Sequence, residues 1–113
     1  MERDPSKFLW DAREAAGAIA AITKEKTFTD FDRDLVLRSA VERQFEIVGE
    51  ALAQLARRDP AMAARIPEHP DIIAFRNVLI HGYAVVNRAR VWRAVEEDIP
   101  KLRAVLTALL GEK

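Results

Sequence analysis

The chain has 113 residues, of which 50% are hydrophobic and 32% charged, enough for one domain with its own core and outside the disordered class. Its 18 Lys and Arg balance 18 Asp and Glu, so no overall basic field steers it onto nucleic acid, although a few converging arginines hold phosphates whatever the net charge. It contains no cysteine, which rules out disulfides, thiolate metal sites and a cysteine nucleophile and fits a reducing compartment.

The opening Met1-Glu2-Arg3-Asp4-Pro5 leads into no apolar run, so neither a secretory signal nor a membrane span is expected. The expected location is cytoplasmic. One domain is expected over residues 1–113.

Abundant Ala, Leu, Glu and Arg with only four glycines predict an all-helical chain. Asp4 and Pro5 suit a cap and first turn, and Phe8, Ala12, Ala15, Ile19 and Ile22 recur at steps of three and four, which predicts a helix to about Lys24. Thr29 or Asp30 offers a cap for a second, longer helix ending near Arg58, with Leu35, Val41, Phe45, Val48, Leu52 and Leu55 on its buried face. Arg57-Arg58-Asp59-Pro60 closes it, because the residue before proline disfavours helical geometry.

Residues Ala61 to Ile66 allow a helical turn or two between Pro60 and the pair Pro67 and Pro70. From Asp71, Ile72, Ile73, Phe75, Val78, Leu79 and Ile80 cover so much of a third main helix that a central position is expected. Gly82 ends or loosens it. Asn87 caps a last helix carrying Val91, Val95, Ile99, Leu102, Val105, Leu106 and Leu109, which Pro100 should kink near Asp98, itself a possible cap. The expected architecture is an antiparallel bundle of four main helices with a possible short fifth.

Chemistry concentrates in Arg76-Asn77-Val78-Leu79-Ile80-His81-Gly82-Tyr83. At about 100° per residue Tyr83 falls on the face of Arg76, whereas His81 points about 140° away on an ideal helix. Gly82 lets the backbone leave the helix there, so that imidazole and phenol swing toward the arginine or toward a second subunit. Guanidinium matches phosphate, imidazole moves protons near neutral pH, and phenol is a modifiable hydroxyl. Together they suit RNA cleavage without metal, with a 2′-hydroxyl deprotonated and the phosphorane charge stabilised by cations. The same residues also fit a bland reading, in which Arg76 pairs with Glu46 or Glu50 and His81 is a satisfied helix end.

Around this segment Asn77 is a polar neighbour of Arg76, and the mid-helix Gly49, which costs about 1 kcal/mol relative to alanine, suits close helix packing with Glu50 supporting Arg76 or His81. His69 and His81 lie outside the i, i+4 spacing of helical metal pairs, so no metal site is expected. Trp10 and Trp92 sit on amphipathic helices and read as core or interface rather than base-stacking platforms. Arg57, Arg58, Arg65, Arg88, Arg90 and Arg93 read as solvated charge, the last three being the better candidates for a rim that guides RNA.

Over nearly its whole length the chain resembles the HepT-like branch of the HEPN superfamily, the toxins of type VII toxin–antitoxin systems. The resemblance rests on Leu9-Trp10-Asp11, Phe31-Asp32, Glu46-Ile47-Val48-Gly49-Glu50-Ala51, Phe75-Arg76-Asn77, His81-Gly82-Tyr83, and Val91-Trp92 with Glu97-Asp98-Ile99-Pro100. Arg76, His81 and Tyr83 match the family's hallmark of arginine, four residues, histidine, one residue and tyrosine. Where many members carry a tryptophan before the motif helix and an aromatic after the tyrosine, this chain has His69-Pro70 and Ala84.

The resemblance implies a homodimeric, metal-independent endoribonuclease that needs no cofactor, with Arg76 and His81 catalytic and Asn77 and Glu50 supporting. It also implies an antitoxin partner, a minimal nucleotidyltransferase that adenylylates Tyr83. A different class of function stays open: a non-catalytic module that binds nucleotide or RNA beside such a nucleotidyltransferase.

Overall fold

The first helix begins where the Asp4 side chain accepts the Ser6 amide at 2.9 Å and Pro5 fills the first turn, so two of the otherwise orphaned N-terminal positions are satisfied. In this computed structural model, which describes residues 4–81 and 87–112, α1 runs over Pro5–Thr23. Its stripe of Phe8, Ala12, Ala15 and Ile19 is buried as the spacing predicts, with Ile22 partly so. The Thr23 hydroxyl donates to the Ile19 carbonyl at 2.7 Å, and Glu25 takes a positive φ of 63° where the chain turns away.

The second helix does not start at Thr29 or Asp30. Thr27 and Asp30 form a reciprocal capping box, which opens a separate short helix, α2 (Phe28–Arg33). Asp34 then adopts an extended conformation, and its side chain accepts the Leu37 amide at 3.1 Å, opening α3 (Leu35–Arg58). Two successive caps therefore divide what periodicity alone reads as one element. Leu35, placed on the buried face by spacing, stands in the first turn and is 67% exposed. Val41, Phe45, Val48, Leu52 and Leu55 are buried as expected.

Asp59 caps a single turn, α4 (Pro60–Ala63), accepting the Met62 amide at 3.1 Å. Helix α5 (His69–His81) buries Ile72, Phe75 and Leu79. Its expected central position is not what the fold adopts: α5 packs mainly on α3, and Val78 and Ile80 are 49% and 40% exposed. Among the described residues α3 is its main neighbour, so only part of this apolar helix is covered.

Asn87 caps α6 (Arg88–Arg93) by accepting the Arg90 amide at 3.1 Å. The chain continues through a π-helical turn (Ala94–Asp98) into α7 (Ile99–Gly111). Pro100 lacks an amide hydrogen and its ring would crowd a tight preceding turn; the widened turn, with the Ile99 amide reaching the Ala94 carbonyl, absorbs this. Asp98 stays helical and makes no capping bond, so it does not act as the cap its position suggested.

Four long elements, α1, α3, α5 and α6 to α7, with short α2 and α4, make an all-α bundle, and no strand occurs among the described residues. Helix α1 packs against both α3 and α7. Phe31, Phe45, Leu9, Ile19, Leu52, Leu55, Ile99, Leu102 and Leu106 are fully buried in the shared core, each worth about 1.5–3 kcal/mol relative to exposure. Phe31 meets Trp92 at a tilt of 39°, ring centroids 5.2 Å apart, joining α2 to α6. Trp92 is thus core, whereas Trp10 is 48% exposed and is not. Among the described residues no helix is long and apolar enough to cross a membrane.

Candidate functional site

Helix α5 packs against α3 at Gly49 with no room for a side chain there. A Cβ built there would lie 2.7 Å from the Arg76 Cγ, closer still to the Arg76 Cβ, and 3.4 Å from the Ile72 carbonyl oxygen. The missing side chain is therefore the socket across which the stem of Arg76 lies. Phe45 and Phe75 meet edge to face at 5.1 Å along the same seam, which sets the register of α5 on α3.

The stem is largely buried, with the Arg76 side chain 17% exposed, while its Nη1 reaches Glu50 Oε2 at 3.3 Å. Of the two carboxylates that sequence offers, the structure pairs Arg76 with Glu50; Glu46 instead faces Arg43 at 3.5 Å. Glu50 also accepts from Gln54 Nε2 at 2.9 Å and lies 4.0 Å from Arg57 Nη2. One carboxylate thus holds a cation of α5 against α3 while sharing in a small polar cluster. Arg76 Nε is buried without a hydrogen-bond partner among the described residues.

Asn77 and His81 are both exposed, His81 as the last residue of α5. They share the outer side of that helix with the half-exposed Val78. Gly82 and Tyr83 lie outside the described residues, and with them the expected convergence of imidazole and phenol on Arg76. His69 donates from Nδ1 to the Ile66 carbonyl at 2.9 Å, a helix-entry contact. Among the described residues no three His, Asp or Glu side chains gather as a set of metal ligands.

Two arginines of α6 tie it to the rest of the fold. Arg88 reaches both the carbonyl and the carboxylate of Asp32 at 3.1 Å, and the Arg90 guanidinium sits 4.9 Å above the Phe75 ring. Sequence reading treated both as surface charge or an RNA rim. Their structural partners, an aspartate 56 positions away and a buried ring on α5, have no local signature. Sequence reading also missed the groove beside Glu50, between α1 and α3, that Arg43 and Gln54 help to line; their spacing of 43, 47, 50 and 54 on one helix face was the available signal.

Fold and seam define a small helical protein with an arginine-bearing motif helix lodged on a glycine of its neighbour. The Ribonuclease HepT-like family profile matches residues 12–109. A Thermococcus cleftensis protein named "Probable ribonuclease HepT" is 35% identical over 103 residues, covering 91% of this chain and 93% of that protein. Two proteins named "Putative RNase" are also similar: one of Methanocaldococcus jannaschii at 33% over 104 residues, 90% of this chain and 93% of its own length, and one of Caldanaerobacter subterraneus subsp. tengcongensis at 33% over 111 residues, 98% of both. No solved structure matches. The chain belongs to the HepT-like ribonuclease family of the HEPN superfamily.

Proposed function

We propose that this protein is the toxin of a toxin–antitoxin pair, a metal-independent RNA endonuclease that works as a homodimer and is silenced by adenylylation of Tyr83. The observation that carries the reading is the lodging of Arg76 in the Gly49 socket with Glu50 on its Nη1, on the same helix that ends in the exposed His81. A cation so restrained loses little freedom when a phosphate docks. Family membership supports RNA as the substrate.

In the proposed reaction His81 handles the proton of a 2′-hydroxyl, whose oxygen attacks the adjacent phosphorus. The P–O5′ bond breaks, a 2′,3′-cyclic phosphate forms, and the leaving 5′-oxygen takes up a proton. Arg76 stabilises the negative charge on the non-bridging oxygens, and Asn77 orients the phosphate. The half-exposed Val78 and Ile80 on α5 support a second copy as the cover of that face, which would bring two motif segments to one cleft.

The antitoxin is a minimal nucleotidyltransferase acting in the same cytoplasm. The Tyr83 oxygen attacks the α-phosphorus of ATP, pyrophosphate leaves, and a phosphodiester-linked adenylate remains. That group brings negative charge and bulk to the cleft meant for substrate.

Purified protein should cut RNA in the presence of EDTA, and His81→Ala should lose cutting while keeping its fold. Mass spectrometry after coexpression with the partner should find adenylate on Tyr83. Cleavage that persists in His81→Ala removes that residue from the mechanism, and RNA binding with no cleavage by the wild type favours the non-catalytic module instead.

A further inference from the structure

We infer that the groove between α1 and α3 is a nucleotide subsite, which holds one nucleotide flanking the scissile phosphate; the inference rests on the ribonuclease reading above. The groove encloses about 500 Å³, within the range of about 300–1,000 Å³ typical of small-ligand clefts. Its lining combines an apolar floor and two arginines with Gln54 and two carboxylates, Asp11 and Glu50.

Phe8, Ile47 and Ala51 give it an apolar floor, suited to the face of a base. Arg58 lines it too and holds its guanidinium 5.7 Å from the Phe8 ring centroid, a planar cation of the sort on which unpaired bases stack. Gln54 stands at the edge. Its Nε2 is committed to Glu50 at 2.9 Å, which leaves the amide oxygen as an acceptor for an N–H of the base. Arg43 supplies the phosphate end: its contact with Glu46 is 3.5 Å long and its side chain is 68% exposed, so that pair holds it weakly.

Position joins this groove to the chemistry. Glu50 is both part of the groove wall and the partner of Arg76. Gln54 and Arg76 thus meet the same carboxylate, at 2.9 and 3.3 Å, so a base beside Gln54 would lie next to a phosphate on Arg76. Single-stranded RNA, with its bases splayed from the backbone, is the form that fits.

The test is steady-state cleavage of short RNAs, with the nucleotides on either side of the cut varied in turn, by the full-length wild type, Arg43→Ala, Arg43→Lys and Gln54→Ala. The wild type should discriminate about tenfold among bases at one flanking position, and Gln54→Ala should erase most of that preference. Arg43→Ala should raise KM several-fold with kcat unchanged, and Arg43→Lys should restore most of it. Both positions are on the surface side of α3, so the variants should match the wild type in thermal unfolding. A wild type that cuts RNA, with base preference and KM unaltered in the variants, overturns the subsite alone. A wild type that cuts none of these RNAs overturns both the subsite and the ribonuclease reading.

Discussion

Gly49 and Arg76 occupy each other's space: the arginine stem crosses the point where any side chain at position 49 would stand. The clash falls on the first carbons of Arg76 rather than on its flexible end, so relief requires α5 to shift. Gly49→Ala gains helix propensity of about 1 kcal/mol in α3, but overpacking of this kind costs about 1–3 kcal/mol. We expect a lower melting temperature and loss of RNA cleavage, read by calorimetry and a cleavage assay on the same preparation.

Glu50→Gln preserves shape and removes the charge facing Arg76. Because Glu50 is half exposed, the stability change should stay below about 1 kcal/mol, while kcat falls several-fold through a less constrained guanidinium. A loss of stability with unaltered kcat would mean that the pair merely fastens the helices.

Val78→Lys places a charge on the uncovered face of α5. Val78 is 49% exposed, so monomer stability should change by no more than about 0.5 kcal/mol. Sedimentation should show dissociation of the proposed homodimer, and cleavage should fall with it. An active, unaltered dimer would place the second copy on another surface.

Arg90→Ala removes the cation over Phe75, with an expected cost of about 0.5–1 kcal/mol in chemical denaturation. A variant as stable as the wild type would show that Arg90 adds nothing at this contact.

Acid should act in opposite directions at two carboxylates. Burial holds Glu42 above the ordinary glutamate value, with Glu46 reinforcing the shift and Arg38 and Arg88 opposing it. Its ionised form therefore costs stability above the folded-state value, and the cost is relieved as pH falls through it. Glu42→Gln should raise the melting temperature near neutral pH, by a margin that shrinks toward acid. Asp30 is held low, first by the Thr27 amide and then by the Thr27 hydroxyl. Its contribution is present above the unfolded value and lost as pH falls through the folded one. Asp30→Asn should lower the melting temperature near neutral pH and converge with the wild type in acid.

Much was determined by local chemistry. Asp4-Pro5 and Asn87 cap helices as their side chains predict, and the buried stripes of α1 and α7 follow the helical period because each lies on one face of one element. Membership of the HepT-like family was legible too, since residue type and chain-wide resemblance carry that information.

Tertiary structure decided what depends on neighbours. Spacing counts apolar positions but does not count the helices available to cover them; hence Leu35, Val78 and Ile80 read as core and stand exposed. The choice of Glu50 over Glu46 for Arg76 depends on the rotation and register of α5 on α3, which the Gly49 socket and the Phe45–Phe75 contact set. The groove beside Glu50 exists only because α1 lies along α3; the spacing of 43, 47, 50 and 54 marks its α3 wall but not the helix that faces it.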